Sequence, residues 1–183
     1  MVAGFAAAGD VDPSALLDSY IGLYNNCLSA RPSDLHVGLH LCRGNFAYSR
    51  HFSEGGYDRI ATKLFNEMVN VDTYFLEYDT ERAGGFEPLA QLPAHKNVIV
   101  GVITSKFPEL EDLGQMKDRV LKAAEFVGKG AGQTKEEALK RMGVSPQCGF
   151  ASHHLGNSVT RKDMINKLNL VRKLADEIWP GEP

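Results

Sequence analysis

Leu35-His36-Val37-Gly38-Leu39-His40-Leu41-Cys42-Arg43-Gly44-Asn45 is the stretch on which the fold turns. Its apolar residues predict a buried strand over 35–42 that breaks at Gly44. Side chains two apart on a strand point to the same face, so His40 and Cys42 share one. An imidazole and a thiol side by side at a strand end make half of a tetrahedral zinc site. The other half must come from elsewhere in the chain. Two later strand ends offer it: Glu77, in Thr73-Tyr-Phe-Leu-Glu77, and Cys148, in Ser145-Pro-Gln-Cys148.

The whole chain sets the frame for that site. Its 183 residues are most simply one domain, with enough chain to bury a core without disulfides. Composition is that of a soluble globular protein, 43% hydrophobic and 23% charged, and a net charge of −3 predicts no nucleic-acid partner. No apolar run approaches the roughly 20 residues of a membrane helix, so no membrane role is expected. Residues 1–12 are small and apolar but lack a basic start, and are expected to be a flexible leader before a domain over 13–183. Three cysteines argue against a disulfide framework and for a reducing, cytoplasmic setting in which thiols remain available for metal.

Outward from the opening stretch, helices and strands alternate. Asp12-Pro13 is a helix start, with Asp as N-cap and Pro at the first helical position. Leu16, Leu17, Tyr20, Ile21, Leu23, Tyr24 and Leu28 follow at helical spacing, with Cys27 expected as a small core residue. His36, on the same strand as His40, is also expected in the core. The loop from Arg43 to Gly56 has no obvious structure, and at 14 residues it points to function. A helix is expected over Tyr57–Met68, a strand over Val71–Tyr78, and a short helical or irregular piece over Phe86–Leu92. The β-branched run Asn97–Ile103 reads as a strand buried on both faces, as in a parallel sheet. A helix over Glu109–Val127, a glycine-rich loop over Gly128–Gln133, a capped helix from Thr134 to Met142, a strand over Val144–Ala151 and a helix over Asn157–Trp179 complete the chain.

Strands alternating with amphipathic helices predict an α/β fold of parallel (β/α) units with right-handed crossovers. Ligands gather at the carboxyl ends of such strands, where His40, Cys42, Glu77 and Cys148 all lie. Any one of the four has a structural explanation, as a core histidine, an inert thiol or a salt-bridged carboxylate. Together, on separate strands rather than in closely spaced Cys pairs, they suit a catalytic metal site better than a structural one. Arg43, Asn45, Tyr78, Asp79 and Ser105 lie at strand ends on the same side, as candidate substrate contacts. His153 and His154 fall in a loop and are not assigned.

Leu39-His-Leu-Cys-Arg-Gly-Asn45, Tyr74-Phe-Leu-Glu-Tyr-Asp79, Ser105-Lys-Phe-Pro-Glu-Leu-Glu111 and Ser145-Pro-Gln-Cys-Gly-Phe-Ala-Ser152 together resemble the cobalamin-independent methionine synthase family, in its shorter, single-barrel branch. The resemblance runs from about residue 13 to 179. It implies a TIM-type (β/α)8 barrel of which this chain matches the C-terminal half, since a full barrel takes about 250 residues. It also implies zinc held by His40, Cys42, Glu77 and Cys148, with no catalytic residue beyond that site. The expected activity is transfer of an alkyl group to a thiol, with a homocysteine-like acceptor and a methyl-folate-like donor. Glu77, the hard ligand, is the one an incoming thiolate is expected to displace. The alternatives are a related zinc transferase with another acceptor or donor, and a non-catalytic zinc-binding half-barrel. An open half-barrel predicts a homodimer or a complementary half as partner.

Overall fold

The computed structural model describes residues 11–46, 50–150 and 154–182. Most of the expected leader, the end of the fourth expected strand and His153 lie outside them. Four strands, β1 (Gly38–Leu41), β2 (Thr73–Glu77), β3 (Asn97–Ile103) and β4 (Met142–Pro146), form one sheet in the order β1-β2-β3-β4, every pair parallel. Helix α1 (Pro13–Leu28) precedes the sheet. Between the strands come α2 (Ala61–Glu67), then two 3₁₀ turns (Glu81–Ala83 and Glu87–Gln91), then α3 (Leu113–Ala131) with the short α4 (Lys135–Leu139); α5 (Arg161–Ile178) follows β4. Parallel neighbours in chain order are the (β/α) pattern expected. Among the described residues no helix is long and apolar enough to cross a membrane.

The core lies on one face of the sheet. Tyr74 and Leu76 of β2 and Val98, Val100 and Val102 of β3 are at most 1% exposed and belong to one cluster with Leu64, Phe65, Val120, Ala124 and Val127. The other face carries Gly38, His40, Phe75, Ile99 and Gly143, with Phe75 38% exposed. Gly38 and Gly143 make room for the large residues beside them: a Cβ at either would lie 2.7 Å from Phe75 Cε2 or Ile99 Cδ1. Both edge strands, β1 and β4, have a single neighbour.

That edge position corrects the expected buried strand over 35–42. Only four residues pair, alternating exposed and half-buried. His36 is exposed rather than in the core, its Nε2 2.7 Å from Thr73 Oγ1. Cys27 is exposed too, because α1 fully buries only Ile21. Asp12 caps that helix through Ser14 N and Ala15 N, as its sequence predicted. The expected glycine loop at 128–133 is largely the last turn of α3. Gly130 lies so close to the Ala90 carbonyl that a Cβ would collide with it, and the helix ends at Gly132, whose φ of 65° is left-handed. These glycines serve close packing inside a helix, which composition alone reads as a loop.

Candidate metal centre

The site forms where parallel register brings three strand ends together. Leu41 pairs with Leu76 and Glu77 with Gly101, so the residue after β1, Cys42, comes beside Glu77. Gly44, at φ 97°, turns the chain and donates its N–H to Cys42 Sγ at 3.3 Å. His40 Nδ1 lies 3.1 Å from the Phe75 carbonyl; that acceptor fixes the proton on Nδ1 and leaves Nε2 as the lone-pair donor. Past β4, Gln147 N donates to Ile103 O at 2.8 Å and leads into Cys148.

One donor atom from each of His40, Cys42, Glu77 and Cys148 lies within 4.8 Å of the other three, a cluster that can hold a metal ion. The two sulfurs are 3.5 Å apart. A tetrahedral zinc with Zn–S of about 2.3 Å separates its sulfurs by roughly 3.8 Å. Glu77 is fully buried, and Oε1 has no hydrogen-bond partner among the described residues. An ionised carboxylate oxygen buried without a partner is costly, and a cation answers it. One nitrogen, two sulfurs and one oxygen are a donor set that zinc accepts. The residues fit the metal.

The electrostatics of the cluster point the same way. Hydrogen bonding to Cys148, then burial, pushes the Cys42 thiol up against the opposing Gly44 N–H. The His40 imidazole is also raised, chiefly by its hydrogen bond with Cys148, against burial. With its thiol form favoured, Cys42 is no ready nucleophile by itself; a divalent cation would invert that by stabilising thiolate.

The five further candidates at the strand ends are partly engaged by the protein itself, while Asn45 Oδ1, Tyr78 Oη and both Asp79 carboxylate oxygens are buried without a hydrogen-bond partner among the described residues. Arg43 is 7% exposed and its guanidinium meets Gly55 O, Tyr57 Oη and Glu77. Asn45 Nδ2 donates to Ser105 Oγ and Gly149 O, and Ser105 N donates to Gln147 Oε1. Tyr78 is fully buried on the core side, between the rings of Tyr57 and Phe86. The side chain of Asp79 is 1% exposed, 3.8 Å from Arg82. A cleft of about 230 Å³ beside the cluster is lined by His40, Phe75, Ser145, Gln147 and Cys148 among others. Sequence reasoning missed Tyr57, Gln147 and Phe75. Phase along the strand was a signal for Phe75, which shares a face with Glu77; nothing local marks Tyr57.

No family model matches the chain. Two uncharacterized Bacillus subtilis (strain 168) proteins, YxjG and YxjH, are 39% and 37% identical over 168 and 169 residues. Those alignments cover 91% and 92% of this chain but 41% and 42% of the relatives, so the chain spans about two fifths of their length. Among solved structures, a candidate vitamin-B12-independent methionine synthase from Listeria monocytogenes superposes with a TM-score of 0.67 at 32% identity, over 94% of this chain and 43% of that one. A B12-independent methionine synthase from Shewanella sp. W3-18-1, in complex with selenomethionine, shares the fold with a TM-score of 0.62 at 18% identity, over 88% and 46%. The chain is thus similar to B12-independent methionine-synthase-like proteins, and its four-stranded parallel sheet matches about half of such a barrel.

Proposed function

We propose that this chain is the metal-binding half of a zinc-dependent thiol alkyltransferase of the cobalamin-independent methionine synthase type. His40, Cys42, Glu77 and Cys148 are its zinc ligands. The observation that carries the reading is the convergence of those four donors around a buried carboxylate oxygen with no partner. The likeness to the Listeria protein supports it. When bound, zinc supplies a Lewis acid that lets a substrate thiol lose its proton at neutral pH. The chain's own residues set up that chemistry. The Phe75 carbonyl holds His40 in one tautomer, with Nε2 turned to the cluster. Glu77 would contribute the hard oxygen among soft sulfurs, and so would be the donor to yield to an acceptor sulfur. Phe75 and Ser145 line the cleft from which the acceptor approaches.

The acceptor is a homocysteine-like thiol and the donor a methyl-folate-like compound: the methyl carbon leaves nitrogen for sulfur, and the nitrogen regains a proton. A complementary half-barrel or a second copy of the chain covers the open edges, and the reaction runs in the cytoplasm. A second reading is a zinc-binding half-barrel without turnover, in which the same four donors hold the metal.

Elemental analysis with light scattering on one purified sample tests the first reading, followed by methyl transfer from a methyl-folate to homocysteine. About one zinc per chain in a defined assembly that forms methionine supports the transferase. One zinc per chain with no turnover in any assembly supports the second reading, and a metal-free protein ends both.

A further inference from the structure

Arg43 follows a proposed ligand in sequence, yet its side chain turns away from solvent and closes behind another, Glu77. Its backbone N donates to Glu77 Oε2 at 3.0 Å, and Nη1 approaches the same oxygen at 3.5 Å. Nη1 also donates to Glu77 O and to Tyr57 Oη, each at 3.1 Å. Nε and Nη2 both donate to Gly55 O, at 3.1 and 2.9 Å. The guanidinium stacks on the Tyr57 ring with Cζ 4.5 Å from its centroid, and Tyr57 Oη accepts from Glu77 N at 2.9 Å. The segment 52–55 folds back onto Arg43: Phe52 N and Ser53 N donate to its backbone carbonyl, and Gly55, at φ 106°, turns its own carbonyl to the guanidinium.

The consequence for Glu77 is an asymmetry. Oε2 is taken by Arg43 while Oε1 has no hydrogen-bond partner among the described residues, and a carboxylate oxygen of Glu77 lies within 4.8 Å of the donors of His40, Cys42 and Cys148. The guanidinium, held at Gly55 O, Tyr57 Oη and Glu77 O, reaches with one nitrogen the same Oε2 that the Arg43 backbone N already grips, so one residue fixes that side of the carboxylate.

We propose that Arg43 is the positioning residue of the metal centre. It holds Glu77 by one oxygen so that the other alone reaches the metal, and it keeps the carboxylate when the acceptor sulfur takes its place. This rests on the zinc reading above. Partners that orient metal ligands typically change metal affinity about 10- to 100-fold when removed.

Zinc affinity, by competition with a chromophoric chelator, is measured for the full chain and for Arg43→Met, Glu77→Ala and the double variant. Arg43→Met is expected to bind zinc about 10- to 100-fold more weakly, with Arg43→Lys in between. In the Glu77→Ala background, Arg43→Met is expected to cost no more than about twofold, because its target is gone. The cobalt(II)-loaded Arg43→Met protein is expected to show a ligand-field spectrum shifted from the full chain's. Tyr57→Phe, which keeps the stacked ring and loses the hydroxyl, gives the same coupling with a smaller factor and serves should Arg43→Met fail to fold. An equal loss from Arg43→Met with and without Glu77, or unchanged affinity while the full chain binds one zinc, overturns the assignment and leaves the zinc reading intact. A full chain that binds no zinc removes both.

Discussion

Asp72→Asn should loosen the edge strand that carries half the metal cluster. Asp72 sits just before β2 and grips the chain entering β1. Oδ2 accepts from Val37 N at 2.8 Å and from Arg31 Nη1, while Oδ1 accepts from Arg31 Nη2 at 3.0 Å. Arg31 Nη1 also donates to Leu35 O, so one ion pair holds the run from 31 to 37. The guanidinium pushes the Asp72 carboxyl from its ordinary 3.8 down to about 2. At about 1.4 kcal/mol per pH unit, that drop corresponds to about 2.4 kcal/mol. The side chain is 30% exposed, and solvent screening reduces the figure to about 1–2 kcal/mol. Asparagine keeps an acceptor for Val37 N but cannot receive both Arg31 nitrogens. The expected loss at neutral pH is therefore about 1–2 kcal/mol, or roughly 2–8 °C in Tm for a domain of this size. The folded carboxyl is the stronger acid, so its contribution is present in full above about 3.8 and fades as pH falls toward about 2. Urea denaturation followed by far-UV circular dichroism, at neutral pH and at about pH 2.5, should show the gap between wild type and variant narrowing on acidification. A variant as stable as wild type at neutral pH, or a gap that does not change with pH, refutes the reasoning.

Three further outcomes follow from the same structure. Cys42→Ser or Cys148→Ser should cut zinc content to a small fraction of one per chain while leaving the far-UV spectrum unchanged, because both thiols sit outside the core cluster. Zinc at about 100 times its dissociation constant should raise unfolding free energy by about 2.7 kcal/mol, an increment that a chelator abolishes in calorimetry. Gly130→Ala should cost about 1–3 kcal/mol, since the new methyl meets the Ala90 backbone. Gly143→Ala should cost less than about 1 kcal/mol, since it meets only the mobile end of Ile99; equal costs in chemical denaturation would contradict that distinction.

Local rules carried much of the fold. The run 97–103 is a strand from end to end, as its β-branched residues predicted, with Asn97 and Ile99 on the second face only half-buried. The Thr134 capping box opens α4, and Asp12-Pro13 opens α1. Where local rules failed, a distant neighbour had overruled them. Gly130 is helical with the remote Ala90 backbone pressed against it, and helix propensity is a weak prior beside such packing. The strand beginning at Leu35 shortened because Arg31 and Asp72, 41 residues apart, hold its first residues outside the ladder.

The site divides along the same line. That His40 and Cys42 share a face follows from the two-residue period of a strand, and so was settled by sequence alone. So were the order of strands and helices and the chemical types of the four donors. That Glu77 and Cys148 come within 4.8 Å of that pair was decided by parallel register and crossover, which act between residues far apart in the chain. Two partners of Arg43, Tyr57 and Gly55, were equally hidden: its sequence neighbours mark it as a loop cation at a strand end, and only the folded chain turns its guanidinium onto both. Sequence sets which groups exist and how near neighbours are phased; distances between remote groups are set by packing the sheet and its helices into one core.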